Sequence, residues 1–136
     1  MFFGKSETED DDLIKIASLL IHAAKIDENY TVKEEDVIKK TLIEIGALEE
    51  NIESLLDKAK ENEANSVQIL DYTKEVKNMN EINKIKIIEA LWRIIYSNNE
   101  ADIFETNLMR RLAGLLYIDS KLMGNIKEKI KKENEE

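Results

Sequence analysis

The sequence predicts an all-α fold, a compact seven-helix bundle that contains two pseudo-symmetric helical hairpins. Three observations carry that expectation. The 136 residues include no proline and only four glycines, so the two residue types that stop helices are nearly missing. Hydrophobic residues make up 43% and charged residues 36%, a globular balance and not a disordered one. Apolar residues also recur at three- and four-residue spacing, in segments divided by short polar breaks. The length suits one domain able to bury a core without staples. An acidic N-terminal arm over residues 1–11 and a single helical domain over 12–134 is the expected organisation.

The elements follow in order. A first helix is expected over about 11–26, with Leu13, Ile16, Ala17, Leu20, Ala23 and Ala24 on its inner face. The acidic run before it suits the positive end of a helix dipole. Asp27-Glu28-Asn29-Tyr30 breaks the pattern, and Thr31-x-x-Glu34 is a capping box that opens the second helix. Val37, Ile38, Thr41, Leu42 and Ile45 line that helix, and Gly46 suits the residue just past its end. A third helix, about 49–62, carries Ile52, Leu55, Leu56 and Ala59. Ser66 caps a fourth reaching about Lys77. The fifth, about 81–97, is apolar over most of its circumference, and a helix like that must be surrounded by others. Asp102-x-x-Glu105 opens a sixth, about 103–117, and Asp119 or Ser120 caps a seventh ending near 133.

Laid on itself with a shift of 71 residues, the chain keeps apolar and acidic positions in phase. Leu20 falls on Leu91, Asp27 on Asn98, Glu34 on Glu105, and Ile45 on Leu116. Two similar helix–turn–helix units related by a pseudo-two-fold axis are the expectation.

Composition removes several function classes. Without cysteine there are no disulfides, thiolate metal sites or cysteine nucleophiles. No apolar h-region follows a basic start, and no stretch approaches the ~20 apolar residues of a membrane span, so a cytoplasmic protein without membrane insertion is expected. A net charge of −9 argues against nucleic acid as a partner. The C-terminal lysines alternate with glutamates, as on a solvated helix end. No glycine-rich phosphate loop, HExxH, GxSxG or paired CxxC occurs, and the single histidine, His22, has no serine or cysteine at a recognisable spacing. An enzyme is not expected, and a protein partner is.

Glu34 and Glu105 are the residues of most interest. On a helical projection each sits beside the inner apolar stripe, where a carboxylate is costly unless satisfied. One reading makes each a capping-box glutamate bonded to its own N-cap amide. The other gathers Asp27, Glu34, Asp102 and Glu105 into one acidic locus for a hard divalent cation, the one cofactor the pattern admits. The two are compatible. Neither turn is an EF-hand: Val32 stands where the required glycine should be, and Ile38 where the bidentate glutamate should be. Glu89 and Arg93 read as an i,i+4 pair, Arg111 as a partner for a carboxylate of a neighbouring hairpin, and Trp92 and Tyr96 as core aromatics.

The run Ile88-Glu89-Ala90-Leu91-Trp92-Arg93-Ile94-Ile95-Tyr96, the acidic turn, and Glu105-x-Asn107-Leu108-x-Arg110-Arg111-Leu112-Ala113-x-Leu115-Leu116 resemble the TerB-like tellurite-resistance family. That module is shared with the N-terminal domain of the DjlA co-chaperones. Ala23-Ala24-Lys25-Ile26-Asp27 through Glu34 resembles the family's earlier motif, and the likeness covers about residues 12–132. It implies a seven-helix domain with an acidic face near the turns. It also implies a bacterial stress or tellurite-resistance role in assemblies where metal ions take part. Asp27, Glu34 and Glu105 match the family's acidic sites, whereas Glu28 replaces a turn glycine and Asn98-Asn99 replaces an aspartate–glycine pair. The resulting expectation is a non-enzymatic module with an acidic cation site. Its alternative is a co-chaperone-like scaffold that binds a basic protein without metal.

Overall fold

The structure, a computed structural model, describes the backbone of residues 2–26, 31–65, 70–97 and 103–135. Side chains are described over the same residues except 2–10, 70, 71, 103–105, 134 and 135. Among the described residues seven α-helices follow one another: α1 (Phe2–Ala24), α2 (Val32–Glu44), α3 (Ile52–Asn65), α4 (Leu70–Lys77), α5 (Glu81–Tyr96), α6 (Ile103–Leu115) and α7 (Ser120–Glu135). Among the described residues there is no strand.

Two helices form the centre. On α5, Ile87, Ile88, Ala90, Leu91, Trp92, Ile94, Ile95 and Tyr96 are all buried, as its apolar circumference requires. On α1, Leu19 and Ile21 are as completely buried as the expected stripe of Ile16, Ala17 and Leu20. α1 is therefore enclosed on nearly every side, by α3 and α4 above all, while α5 is covered chiefly by α7 and α2. Each fully buried leucine or isoleucine contributes roughly 1.5–3 kcal/mol through apolar area removed from water.

The helix ends show how local sequence sets the boundaries. Thr31 stands in extended conformation before α2, and its hydroxyl accepts from the Glu34 N–H at 3.1 Å while the Glu34 carboxylate accepts from the Thr31 N–H at 2.8 Å. Both halves of the capping box are made. At the other end Gly46, with φ at +122°, donates to the Ile43 carbonyl, and Ala47 donates to the Leu42 carbonyl. That pair of bonds is the Schellman turn. α6 closes the same way: Tyr117 donates to the Gly114 carbonyl and Ile118 to the Ala113 carbonyl, with Tyr117 at φ +56°. An offset of 71 carries the bounds of α2 onto those of α6 and Gly46 onto Tyr117. This agreement is one of chain order, and chain order alone does not define a rotation axis. Asn80 caps α5 by accepting from the Asn83 N–H at 2.8 Å, and the Asp119 carboxylate accepts from the Lys121 N–H at 2.9 Å before α7.

Two helix starts differ from expectation. α1 begins at Phe2, since an acidic stretch without proline continues a helix as readily as it precedes one. The segment expected to open the third helix is a 3-10 turn at Glu49–Asn51, with α3 proper beginning at Ile52. The expected cap Ser66 lies outside the described residues, and α4 is described from Leu70.

Candidate functional site

Glu34 is placed by the turn between α1 and α2. Its burial, at 1% exposure, makes it the only charged side chain buried among the described residues. One carboxylate oxygen, Oε1, accepts from the Thr31 backbone N–H at 2.8 Å and from the Thr31 hydroxyl at 3.0 Å. The capping reading is thus realised, and the carboxylate is at the same time taken out of water. Asp27 and Asp102 lie outside the described residues, and so does the side chain of Glu105, whose backbone belongs to α6. Among the described residues no group of three or more His, Asp or Glu side chains converges as a metal ion would require.

Several of the remaining charged residues fasten helices to one another. Arg93 does not pair with Glu89. It reaches from α5 to α7, where its Nε and Nη2 donate to the two oxygens of Glu133 at 2.8 and 3.3 Å. Glu89 instead accepts from Lys129 at 2.6 Å. An i,i+4 pair on one helix is worth only ~0.2–0.5 kcal/mol, so a bidentate partner on the neighbouring helix wins. These hydrogen bonds hold the Glu133 carboxyl below its ordinary value, partial burial opposing them. Arg111 is exposed and forms no ion pair among the described residues.

Around α1 the polar network is more enclosed. The buried Ser18 hydroxyl lies 2.7 Å from the Ile14 carbonyl and 3.3 Å from the Ala59 carbonyl of α3, and it accepts from Asn62 at 3.2 Å. Glu63 faces both Lys25, at 2.9 Å, and His22 Nδ1, at 3.4 Å. Lys15 bonds Glu75 of α4 at 2.9 Å. Beside that pair the Asp12 carboxyl is raised, first by partial burial and then by the charge of Glu75. Reading the sequence did not single out Ser18, Asn62 or Glu63. A lone serine on an apolar face and two residues in a polar stretch give no signal until α1 and α3 are packed together.

Trp92 and Tyr96 stack with centroids 5.9 Å apart, and the Trp92 indole N–H donates to the Met123 sulfur at 3.3 Å, so the core reading of both aromatics holds. No helix among the described residues is long and apolar enough to cross a membrane.

No curated protein and no solved structure matches the chain. A family does. The family described as Tellurite resistance protein TerB matches residues 13–128, from the first buried leucine of α1 to the penultimate turns of α7. That match covers most of the chain, including the capping box of Thr31 and Glu34, and on its extent the chain belongs to the TerB tellurite-resistance family.

Proposed function

We propose that the chain is a non-enzymatic module of cytoplasmic stress and tellurite resistance whose acidic turns, Asp27 with Glu34 and Asp102 with Glu105, take a divalent cation. The observation that supports this reading is the burial of Glu34. A capping-box glutamate can return to its N-cap amide at the surface, whereas a buried carboxylate carries a desolvation cost that a cation at the turn would offset. A binding role rather than a catalytic one is favoured by His22, which faces Glu63 and not a hydroxyl nucleophile.

Thermal melts in chelator, and then with millimolar calcium, magnesium, manganese or zinc, test the cation site. At 100-fold excess over Kd a site present only in the native state adds ~2.7 kcal/mol. One ion should raise the melt selectively, and Glu34→Gln with Glu105→Gln should abolish the rise. Wild-type protein that responds to none of the four ions would sink the cation reading.

A second reading, docking of a basic partner without metal, has its own support in α3. Glu53, Asp57 and Glu61 are exposed there at helical spacing, and Glu50 lies just before them. Binding that survives chelator but weakens with salt, and that is lost on reversing Asp57 and Glu61, is its expected signature.

A further inference from the structure

A groove of about 200 Å³ opens between α5, α6 and α7. Trp92, Met109 and Met123 form its floor, Gly124 leaves one wall low, and Arg110 and Lys127 stand at its rim. The floor is firm, since the indole N–H of Trp92 is tied to the Met123 sulfur.

Its charge runs against that of the molecule. The chain carries −9, yet among the described residues no carboxylate lines the groove. Six cations elsewhere on the surface, Lys15, Lys25, Lys39, Lys60, Arg93 and Lys129, each sit on a glutamate. Among the described residues Arg110 has no such partner, and the Lys127 ammonium lies 5.5 Å from the Trp92 ring centroid instead of on a carboxylate. Gly124 is also unexplained by the fold. Glycine is a poor helix former, and a Cβ at this position would meet nothing within 4 Å. Packing inside the chain does not require it. What it preserves is open space above the floor of Trp92 and the two methionines.

The volume limits what fits. It lies below the roughly 300–1,000 Å³ of small-molecule sites and suits one large side chain. We propose that this groove docks a peptide segment of a partner protein, seating one large apolar side chain on Trp92 and the two methionines while flanking carboxylates meet Arg110 and Lys127. The occupant is acidic, opposite in sign to a ligand of the α3 face, and independent of any cation at Glu34.

Trp92 is the only tryptophan, so its fluorescence reports on the groove directly. The full chain is titrated with synthetic peptides carrying one central phenylalanine flanked by aspartates, by glycines or by lysines, and with phosphatidylglycerol vesicles. The acid-flanked peptide alone should shift the emission saturably, and Glu34→Gln should leave that response intact. Arg110→Glu with Lys127→Glu should weaken it roughly tenfold. Gly124→Phe should abolish it by filling the groove, while Gly124→Ala, which strengthens the helix, should keep it and show that a change in α7 alone is not the cause. An equal response to all three peptides, a response to vesicles only, or no response to the acidic peptide would overturn the proposal.

Discussion

α2 and α6 finish in the same turn with different residues at its left-handed position. Gly46 occupies it after α2, and Tyr117 after α6. The hydrogen bonds correspond one for one: the closing bonds from Ala47 and Ile118 are both 2.9 Å, those from Gly46 and Tyr117 3.1 and 3.4 Å. A tyrosine at positive φ costs about 1–2 kcal/mol, so local preference did not choose this turn. Tertiary contacts did. Leu116, just before Tyr117, is completely buried, whereas Ile45 before Gly46 is only partly so. Lys84 of α5 donates to the Leu116 carbonyl at 3.1 Å, and Lys77 lies 4.6 Å over the Tyr117 ring. One turn is made by backbone freedom, and the other is held by its neighbours.

The largest test of that contrast is truncation of the apolar residue in each turn. Leu116→Ala should cost ~2–5 kcal/mol, the usual range for a fully buried leucine. Ile45→Ala should cost distinctly less. Denaturant melts of both variants measure the gap, and equal losses would mean that the two turns are anchored alike.

Substitution at the left-handed position itself comes next. Gly46→Ala should destabilise by about 1–2 kcal/mol, although a Cβ there meets nothing within 4 Å, because the cost lies in φ and not in space. Tyr117→Gly should be nearly neutral, since relief of strain offsets the lost Lys77 contact and the greater freedom of the unfolded chain. Tyr117→Ala should be the worse of the two, losing the ring and keeping the strain. A Tyr117→Gly variant as damaged as Gly46→Ala would show the ring to be indispensable to the turn.

Gly46 also shows what kind of feature the sequence made legible. A glycine after a periodic run, the Thr31/Glu34 box and the apolar circumference of α5 are signals a few residues wide, and all three appear in the fold as expected. Tyr117 at positive φ, the complete burial of Leu19 and Ile21, and the reach of Arg93 to Glu133 depend on helices far apart in the chain. No local pattern encodes them. Glu34 lies between these cases: its hydrogen bonds were readable from the box, while its burial is a consequence of the packed helices. Asp27, Asp102 and the Glu105 side chain fall outside the described residues, so their meeting with Glu34 rests on the cation titration.

The two halves are also expected to respond to acid with opposite sign, and this is the smallest effect. In the second half, Arg93 holds the folded-state Glu133 carboxyl below its ordinary value of 4.5. The stabilisation is present above that value and is lost as pH falls through the lower folded one. Both side chains are partly exposed, at 33% and 49%, so Glu133→Gln should cost at most ~1 kcal/mol at neutral pH. That gap should narrow in acid and in high salt. In the first half, partial burial and then Glu75 hold Asp12 above its ordinary value of 3.8. Its charged form is therefore slightly unfavourable in the folded state at neutral pH, and the penalty disappears as pH falls below 3.8. Asp12→Asn should raise the neutral-pH melt a little and lose that advantage in acid, whereas Glu133→Gln should lower the melt and recover. Melts of both variants between pH 3 and 7 would show two difference curves converging on wild type from opposite sides. Curves of the same sign would mean that the Asp12–Lys15–Glu75 cluster acts as a simple ion pair, with Lys15 outweighing burial.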